Sequence, residues 1–142
     1  DYITAKWQED FGTSAIEQSA LAHFMENGGF ERHLRRAGRA LSERRTALLK
    51  GLRDALGDQV EIADSRAGMH LVAWLRDFDA AQGEALIVHG RELGLDLYPI
   101  APYYQRPPNR AGLLMGYAGM SVGEIEQAVN VFARCVRETR TR

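Results

Sequence analysis

The chain is poor in the residue types on which several broad classes of protein depend. It has one cysteine, Cys135, in 142 residues, so no internal disulfide can form, as is usual in the reducing cytosol. Its 19 acidic and 18 basic residues give a net charge of −1, so no overall field attracts nucleic acid or an anionic membrane. No apolar run approaches the roughly 18 residues that a membrane span needs. The composition therefore predicts an ordinary globular protein with no membrane partner and a cytoplasmic location.

The motifs of metal sites, phosphate loops and nucleophilic centres are missing as well. The four histidines are scattered rather than clustered at ligand spacings, and no glycine-rich phosphate loop is present. Cys135 falls on the apolar face of the last predicted helix, where a buried, unreactive thiol is expected. Lys6 and Lys50 lie in helical stretches without an apolar pocket, whereas a Schiff-base lysine needs a desolvated site. We therefore expect no metal-binding, catalytic or cofactor-binding residue in this chain.

Hydrophobic periodicity predicts helices in the first 57 residues. Ser14 and Glu17 form a capping-box pattern that opens one helix, and Gly28–Gly29 ends it. A longer helix is predicted from about Phe30 to Gly57, because glycine often follows the last helical residue. Its apolar side is a single stripe of leucines, at Leu34, Leu41, Leu48, Leu52 and Leu56.

The opposite side of this long helix is crowded with arginines. One interpretation is a helix that contacts the phosphates of nucleic acid. The other is a solvated face, whose arginine stems cover apolar surface or pair with acids of a partner domain. No aromatic interleaving or nucleic-acid motif accompanies the charge, so the second interpretation is favoured. The arginines are Arg32, Arg35, Arg36, Arg39, Arg44 and Arg45.

The hydrophobic period then changes from 3.6 to 2, which predicts strands. Residues 60–62 alternate apolar and polar, and a turn at Asp64–Ser65 leads to the nearly continuous apolar run Gly68–Leu75. A hairpin is therefore expected, with the second strand more central in the sheet. Two further strands are predicted at 95–99 and Gly112–Ala118, and the proline at the end of the first of them stops that strand.

Two more helices complete the pattern. Asp79 with Gln82 opens one that ends near Leu93, and Ser121 with Glu124 opens the last. The element order is α-α-β-β-α-β-β-α. This order predicts an α+β domain, with a small mixed, mostly antiparallel sheet of about four strands covered by helices on one side.

The segment between Pro99 and Arg110 is the main candidate for a binding site. It is too long for a hairpin turn, and long ordered loops in compact domains tend to be functional. Tyr103 and Tyr104 offer apolar area with a hydroxyl, and Arg110 offers paired donors for a carboxylate. The alternative is that the tyrosines only cover the core or a subunit contact. His70, among apolar residues of its strand, is either a satisfied core or interface group or a pocket residue.

Four blocks of the sequence occur in a fixed order from about Ser14 onward. They are SAIEQSALAHFMENGGFERHLRRAGRALSERRTALLKGL, AGMHLVAWL, GLDLYPIAPYY and LLMGYAGMSVGEIEQAV. Together they resemble the C-terminal part of MocR-type regulators, which are GntR-family transcriptional regulators whose effector domain is like a fold-type I aminotransferase. The resemblance covers essentially the whole chain after residue 13.

The resemblance implies that the chain is the C-terminal small domain of a longer protein and forms a homodimer. In the family, an N-terminal winged helix-turn-helix binds DNA, and a large domain holds pyridoxal 5′-phosphate on a lysine. The cofactor-binding residues belong to that large domain, so none is carried over here, and the chain alone is expected to bind no cofactor and catalyse nothing. Residues 1–13 would be a connector, 14–57 a helical segment and 58–142 the α/β small domain.

One position departs from the enzymes' pattern. Related aminotransferases hold the substrate carboxylate with an arginine just before an aliphatic–small–aromatic triplet. Aligning that triplet with Met115, Gly116 and Tyr117 puts Leu114 at the arginine position, and Arg110 is the candidate substitute. This departure argues against ordinary transamination.

The leading hypothesis is thus a domain that closes over the ligand site of a regulator. A small carboxylate or amino-acid-like effector would bind near Tyr103, Tyr104, Arg110 and His70. One alternative is the small domain of a true pyridoxal phosphate-dependent aminotransferase. The other is a free-standing module for small-acid binding or dimerisation.

Overall fold

The structure, a computed structural model, describes residues 2–10, 14–63 and 68–141. The chain divides into two compact units, Asp1–Arg39 and Ala40–Arg142. The described part of the first unit is helical: α1 (Tyr2–Asp10), α2 (Ala15–Glu26) and the beginning of α3 (Gly29–Leu56). Helix α1 falls within the stretch that the resemblance implies to be a connector.

The ends of α2 follow from local sequence. The Ser14 side chain accepts the backbone N–H of Glu17 at 3.5 Å, so the predicted N-terminal cap is present. After the last turn, Gly28 has a φ of +71°, a left-handed conformation that glycine adopts without a steric penalty. None of the residues of α2 is buried. The large apolar side chains that the first unit exposes are Tyr2, Ile3, Trp7, Ile16, Leu21, Phe24, Met25 and Leu34.

The second unit contains a four-stranded sheet. Its strands are β1 (Val60–Ile62), β2 (His70–Leu75), β3 (Tyr98–Pro99) and β4 (Gly112–Gly116), in the order β1-β2-β4-β3. Every pairing among these described strands is antiparallel, so the sheet is not mixed. The β1–β2 hairpin and the inner position of β2 are as predicted, whereas the predicted turn at Asp64–Ser65 lies outside the described residues.

The helices of this unit begin where their caps predict. In α4 (Ala80–Glu92), the Asp79 carboxylate accepts the Gln82 backbone N–H at 2.8 Å, and the Gln82 side chain accepts that of Asp79 at 3.0 Å. In α5 (Val122–Arg140), Ser121 donates its backbone N–H to the Glu124 carboxylate at 2.7 Å. The predicted α+β architecture is confirmed. No helix in the described ranges is both long enough and apolar enough to cross a membrane.

One apolar core joins the three helices to a single face of the sheet. Because side chains alternate along a strand, Leu71, Ala73 and Leu75 all point to this face and are fully buried. Helix α3 contributes the last three leucines of its stripe, while Leu34, in the other unit, is 52% exposed. Cys135 is buried as predicted. The helical side of this core is formed by Leu48, Leu52, Leu56, Leu86, Ile125, Val129, Phe132 and Val136.

Candidate functional site

The sheet face opposite the core, called the outer face below, carries the candidate site. On β2 it is formed by the residues that alternate with the core residues: His70, Val72 and Trp74 are all at least partly exposed. The strand register fixes their neighbours on the same face. These are Glu61 on β1, Tyr98 on β3, and Gly112, Leu114 and Gly116 on β4.

Trp74 is the centre of a cluster at one end of this face. It pairs with Gly112, where a Cβ atom would lie 2.6 Å from the indole Cε3, so the ring lies across a position that must lack a side chain. The ring of Tyr104 meets the indole edge-on, with 6.3 Å between centroids and 67° between planes. The guanidinium carbon of Arg110 lies 5.4 Å from the centre of the indole, within cation–π range.

An acidic residue completes the cluster. Glu61, the cross-strand neighbour of Trp74, accepts a hydrogen bond from Arg110 Nη2 at 2.7 Å. This hydrogen bond, and the positive charge behind it, hold the pKa of Glu61 below its ordinary value of 4.5. Arg110 is thus held between a carboxylate and an aromatic face. Glu61, Trp74, Tyr104 and Arg110 are called the Trp74 cluster below.

A groove of about 360 Å³ runs beside the cluster, between α4 and the 99–111 loop. Gly83 lets the helix approach the loop closely, because a Cβ there would lie 2.9 Å from Cβ of Ala111. Pro99, Tyr104 and Arg110 form part of the loop side of the groove. The volume is within the range of small-molecule sites, and the lining suits an apolar or aromatic body that carries one carboxylate.

The structure brings together two of the four predicted site residues. Tyr104 and Arg110 meet around Trp74. Tyr103, in a short 3₁₀ helix, is 73% exposed and stands outside the cluster. His70 is exposed rather than part of the core, and it lies four residues from Trp74 on β2, about 13 Å along the strand. Its ring lies close to Gly116, where a Cβ would be 3.2 Å from His70 Cδ2.

Trp74 and Glu61 are the members of the cluster that sequence reasoning missed. Glu61 and Arg110 are 49 residues apart in the chain, so only the strand register reveals their contact. The available signal was Gly112, because a glycine inside a strand often marks the close approach of another group.

A second cavity, of about 230 Å³, lies between α3, α5 and the β3–β4 edge of the sheet. Leu52, Leu97, Met120 and Phe132 contribute to its mostly apolar wall. Leu114, the position where the aminotransferase pattern has an arginine, also lines it. This wall suits an apolar group and offers no cation for a carboxylate.

His89 forms a second polar cluster, between α4 and α5. Its side chain is 7% exposed, and its Nδ1 lies 3.1 Å from Glu92 Oε2 and its Nε2 2.6 Å from Glu138 Oε2. Both carboxylates reach solvent. Because the histidine links residues on two helices without opening into either cavity, it ties the helices together.

The arginines of α3 make local contacts. Arg32 donates to the carbonyl of Asn27 at 3.2 Å, and Arg35 lies 3.5 Å from Glu31 on the preceding turn. In the second unit, Arg44 donates to the backbone carbonyl of residue 118, just before α5. These contacts agree with the interpretation of a solvated, locally paired face, and none of them indicates phosphate binding.

The described side chains do not fit pyridoxal phosphate by themselves. The one lysine among them, Lys50, is 74% exposed and lies 2.6 Å from Asp54. The hydrogen bond from Lys50 to Asp54 raises the pKa of the lysine, the opposite of what a nucleophilic amine needs. No lysine lines either cavity described above. The described residues also contain no group of three or more potential ligands that could hold a metal ion.

Comparison with known proteins links this fold and these motifs to one family. No protein-family model matches the chain. It is 34% identical over 116 residues to the uncharacterized HTH-type transcriptional regulator YhdI of Bacillus subtilis (strain 168), a match that covers 82% of this chain and 24% of that protein. It is 32% identical over 117 residues to the probable rhizopine catabolism regulatory protein MocR of Rhizobium meliloti, covering 82% of this chain and 23% of that protein. The chain thus spans about a quarter of these relatives.

Solved structures give the fold. The multiple substrate aminotransferase of Thermococcus profundus matches with a TM-score of 0.87 and 19% identity, over 98% of this chain and 34% of that chain. The α-aminoadipate aminotransferase LysN of Thermus thermophilus, solved with N-(5′-phosphopyridoxyl)-L-leucine, matches with a TM-score of 0.83 and 21% identity, over 98% and 35%. The chain therefore corresponds to the C-terminal, aminotransferase-like domain of MocR-type transcriptional regulators, as its four motif blocks predict.

Proposed function

We propose that this domain closes over the ligand site of a pyridoxal phosphate-dependent effector domain and converts effector binding into a domain movement. The observation that carries the proposal is the 34% identity, over 116 residues, to an HTH-type regulator. The aminotransferase fold of the same residues adds that the ligand site is of the aminotransferase kind. A ligand that binds the closed form more tightly shifts the population toward it.

In this proposal the longer protein supplies what these residues do not fit. A large domain holds pyridoxal phosphate, and an N-terminal domain binds DNA. Residues 1–13 connect to the large domain, 14–57 form the helical segment and 58–142 the α/β small domain. The protein acts as a homodimer in the cytoplasm, where its DNA target is found.

The outer face of the sheet is the proposed contact surface for a small carboxylate or amino-acid-like effector. Arg110 would bind the carboxylate through paired N–H donors, and Tyr104 would pack against the ligand body. Tyr103 would contribute from the rim of the loop. His70, at the far end of the same face, would contact the distal part of the effector or the large domain.

The central test measures DNA affinity of the longer protein by fluorescence anisotropy, with pyridoxal phosphate present, as an amino acid or other small carboxylate is added. Arg110→Ala is expected to raise the effector concentration needed by about tenfold or more, because charge-assisted hydrogen bonds are lost. Arg106→Ala is the matched control, since Arg106 is an exposed arginine of the same loop that lines neither cavity. Equal responses of the two variants would remove Arg110 from the site.

The role of a true aminotransferase is tested on the same protein. With the cofactor bound and an amino acid added, an aminotransferase releases the corresponding 2-oxo acid, whereas a sensor leaves the amino acid intact. Leu114 stands where the enzymes' pattern has an arginine. We therefore expect no 2-oxo acid from the wild type, and sustained release of it would favour the enzyme.

The assignment of the cofactor to the rest of the protein has its own test. The 142-residue chain is mixed with pyridoxal phosphate, reduced with borohydride and digested for peptide mass analysis. We expect no stoichiometric adduct on Lys6 or Lys50. Such an adduct would show that the cofactor residues lie within this chain.

A further inference from the structure

In this structure Arg110 already binds a carboxylate. Its Nη2 lies 2.7 Å from Glu61 Oε2, and its guanidinium lies over the Trp74 ring. An effector that approaches Arg110 from the groove therefore meets an ion pair and not an unpaired cation. This observation raises the question of what happens to Glu61 when another carboxylate arrives.

The geometry allows the two carboxylates to exchange. Arg110 also lines the groove beside the cluster, and its planar group has five N–H donors, more than one hydrogen bond uses. The stack on Trp74 keeps the guanidinium in place whichever carboxylate it holds. The Arg110 and Glu61 side chains are 39% and 51% exposed, so the displaced glutamate can turn to water.

Glu61 also keeps a second positive neighbour after such an exchange. The charge of Arg76 contributes, with the hydrogen bond from Arg110, to lowering the pKa of Glu61. A glutamate that leaves Arg110 would thus stay ionised beside another cation and in contact with solvent. Its departure is therefore reversible, and its return competes with any ligand.

We propose that Glu61 is a built-in competitor for the effector's carboxylate at Arg110, and so sets the concentration at which the effector binds. This inference rests on the proposed function, because it takes Arg110 as the carboxylate site. The ligand class is a monocarboxylate with an aromatic or apolar body that packs against Tyr104 and the loop prolines. A neutral analogue of the same shape gains nothing from Arg110 and has no reason to displace Glu61.

The test uses the full-length protein with two probes of the same shape, 4-fluorobenzoate and the neutral 4-fluorobenzamide, and follows binding by fluorine NMR. Glu61→Gln removes the charge and keeps the shape. We expect it to bind 4-fluorobenzoate about three- to fivefold more tightly, the effect of losing one exposed ion pair. Binding of 4-fluorobenzamide should be unchanged. Glu126→Gln, an exposed glutamate of α5 outside the cluster, should alter neither probe.

Two further variants separate the possible results. Glu61→Asp keeps the charge on a shorter side chain, so competition predicts an affinity nearer to wild type than that of Glu61→Gln. Equal effects of the two variants would mean that the loop has merely loosened, which overturns the inference. Arg110→Gln should abolish the preference for benzoate over benzamide. If it does so while Glu61→Gln leaves benzoate binding unchanged or weaker, the inference fails and Arg110 remains the carboxylate site. If Arg110→Gln has no effect on either probe, the proposed effector site fails as well.

Discussion

Replacing Gly112 with alanine tests whether the Trp74 cluster is a rigid platform. A Cβ at position 112 would lie 2.6 Å from Cε3 of Trp74 and 2.7 Å from Cγ2 of Ile100, whereas carbon atoms pack at roughly 3.5–4.0 Å. One of these groups must move by about an ångström to restore that spacing. Neither is free to do so at no cost, because Ile100 is buried and Trp74 is stacked against Tyr104.

Two opposing effects set the size of the change. The φ of Gly112 lies outside the left-handed region, so alanine fits the backbone and restricts the unfolded chain, a gain of about 0.4–1 kcal/mol. Overpacking a well-filled site costs about 1–3 kcal/mol. Partial loss of the aromatic pair adds up to about 1 kcal/mol. We therefore expect Gly112→Ala to lower the free energy of unfolding by about 1–2 kcal/mol, the overpacking term being the largest.

The measurement is urea unfolding followed by circular dichroism and tryptophan emission. Gly123→Ala in α5 is the matched control, because a Cβ there has no neighbour within 4 Å and should be neutral or stabilising by up to about 1 kcal/mol. In a Trp74→Leu background, Gly112→Ala should lose most of its cost. The reasoning would be refuted if Gly112→Ala raised the urea midpoint as the control does, since the indole would then move aside freely.

Three further predictions follow from the core and the caps. Leu52→Ala should lower the free energy of unfolding by about 2–5 kcal/mol in urea, because the side chain is fully buried; Leu34→Ala on the same helix should change it by less than about 0.5 kcal/mol, and equal effects would contradict the assigned core. His89→Leu should lower it by about 1–2 kcal/mol, because two hydrogen bonds that link α4 to α5 are lost; an unchanged melting temperature would show that they give no net stabilisation. The backbone N–H of Ser121 lowers the pKa of Glu124 below its ordinary 4.5, so its stabilisation is complete above that pH and is lost as the pH falls through the lower folded-state value. Glu124→Gln should therefore flatten part of the fall in urea midpoint between about pH 6 and about pH 2, and identical acid curves would argue against the cap.

The helix starts could be predicted because their signals are local. A cap is a contact between residues three apart, so Ser14, Asp79 and Ser121 each open a helix as the pattern indicates. The leucine stripe of α3 was predicted correctly as a pattern and too broadly as a core. Leu34 and Leu52 share the same periodicity, yet only Leu52 is buried. Periodicity identifies the apolar side of a helix and does not show which turns another element covers.

The candidate site was only half predictable for a related reason. Tyr104 and Arg110 could be chosen from loop composition, since both residue types bind ligands in known ways. The residues that hold them, Trp74 and Glu61, become neighbours only through the pairing of β1, β2 and β4. Register is set by turn geometry and by the buried face of each strand, and the β1–β2 turn gave no motif that fixes it. His70 shows the same effect, because its strand was predicted while its exposed end position was not.

The displacement of the cation from strand to loop has a physical consequence for the proposed function. In the aminotransferase pattern the arginine would occupy position 114, on a strand held by a hydrogen-bonded ladder on both sides. Here that position is a leucine, its cross-strand neighbours are Val72 and Tyr98, and the cation belongs to the loop at Arg110. A ligand on a strand arginine would leave the backbone where it is. A ligand on Arg110 would replace the Glu61 pair that fastens the loop to the edge of the sheet, so its binding would change how the loop is held. Coupling of this kind transmits a signal at the cost of an exposed ion pair, which suits a domain that senses its ligand more than one that transforms it.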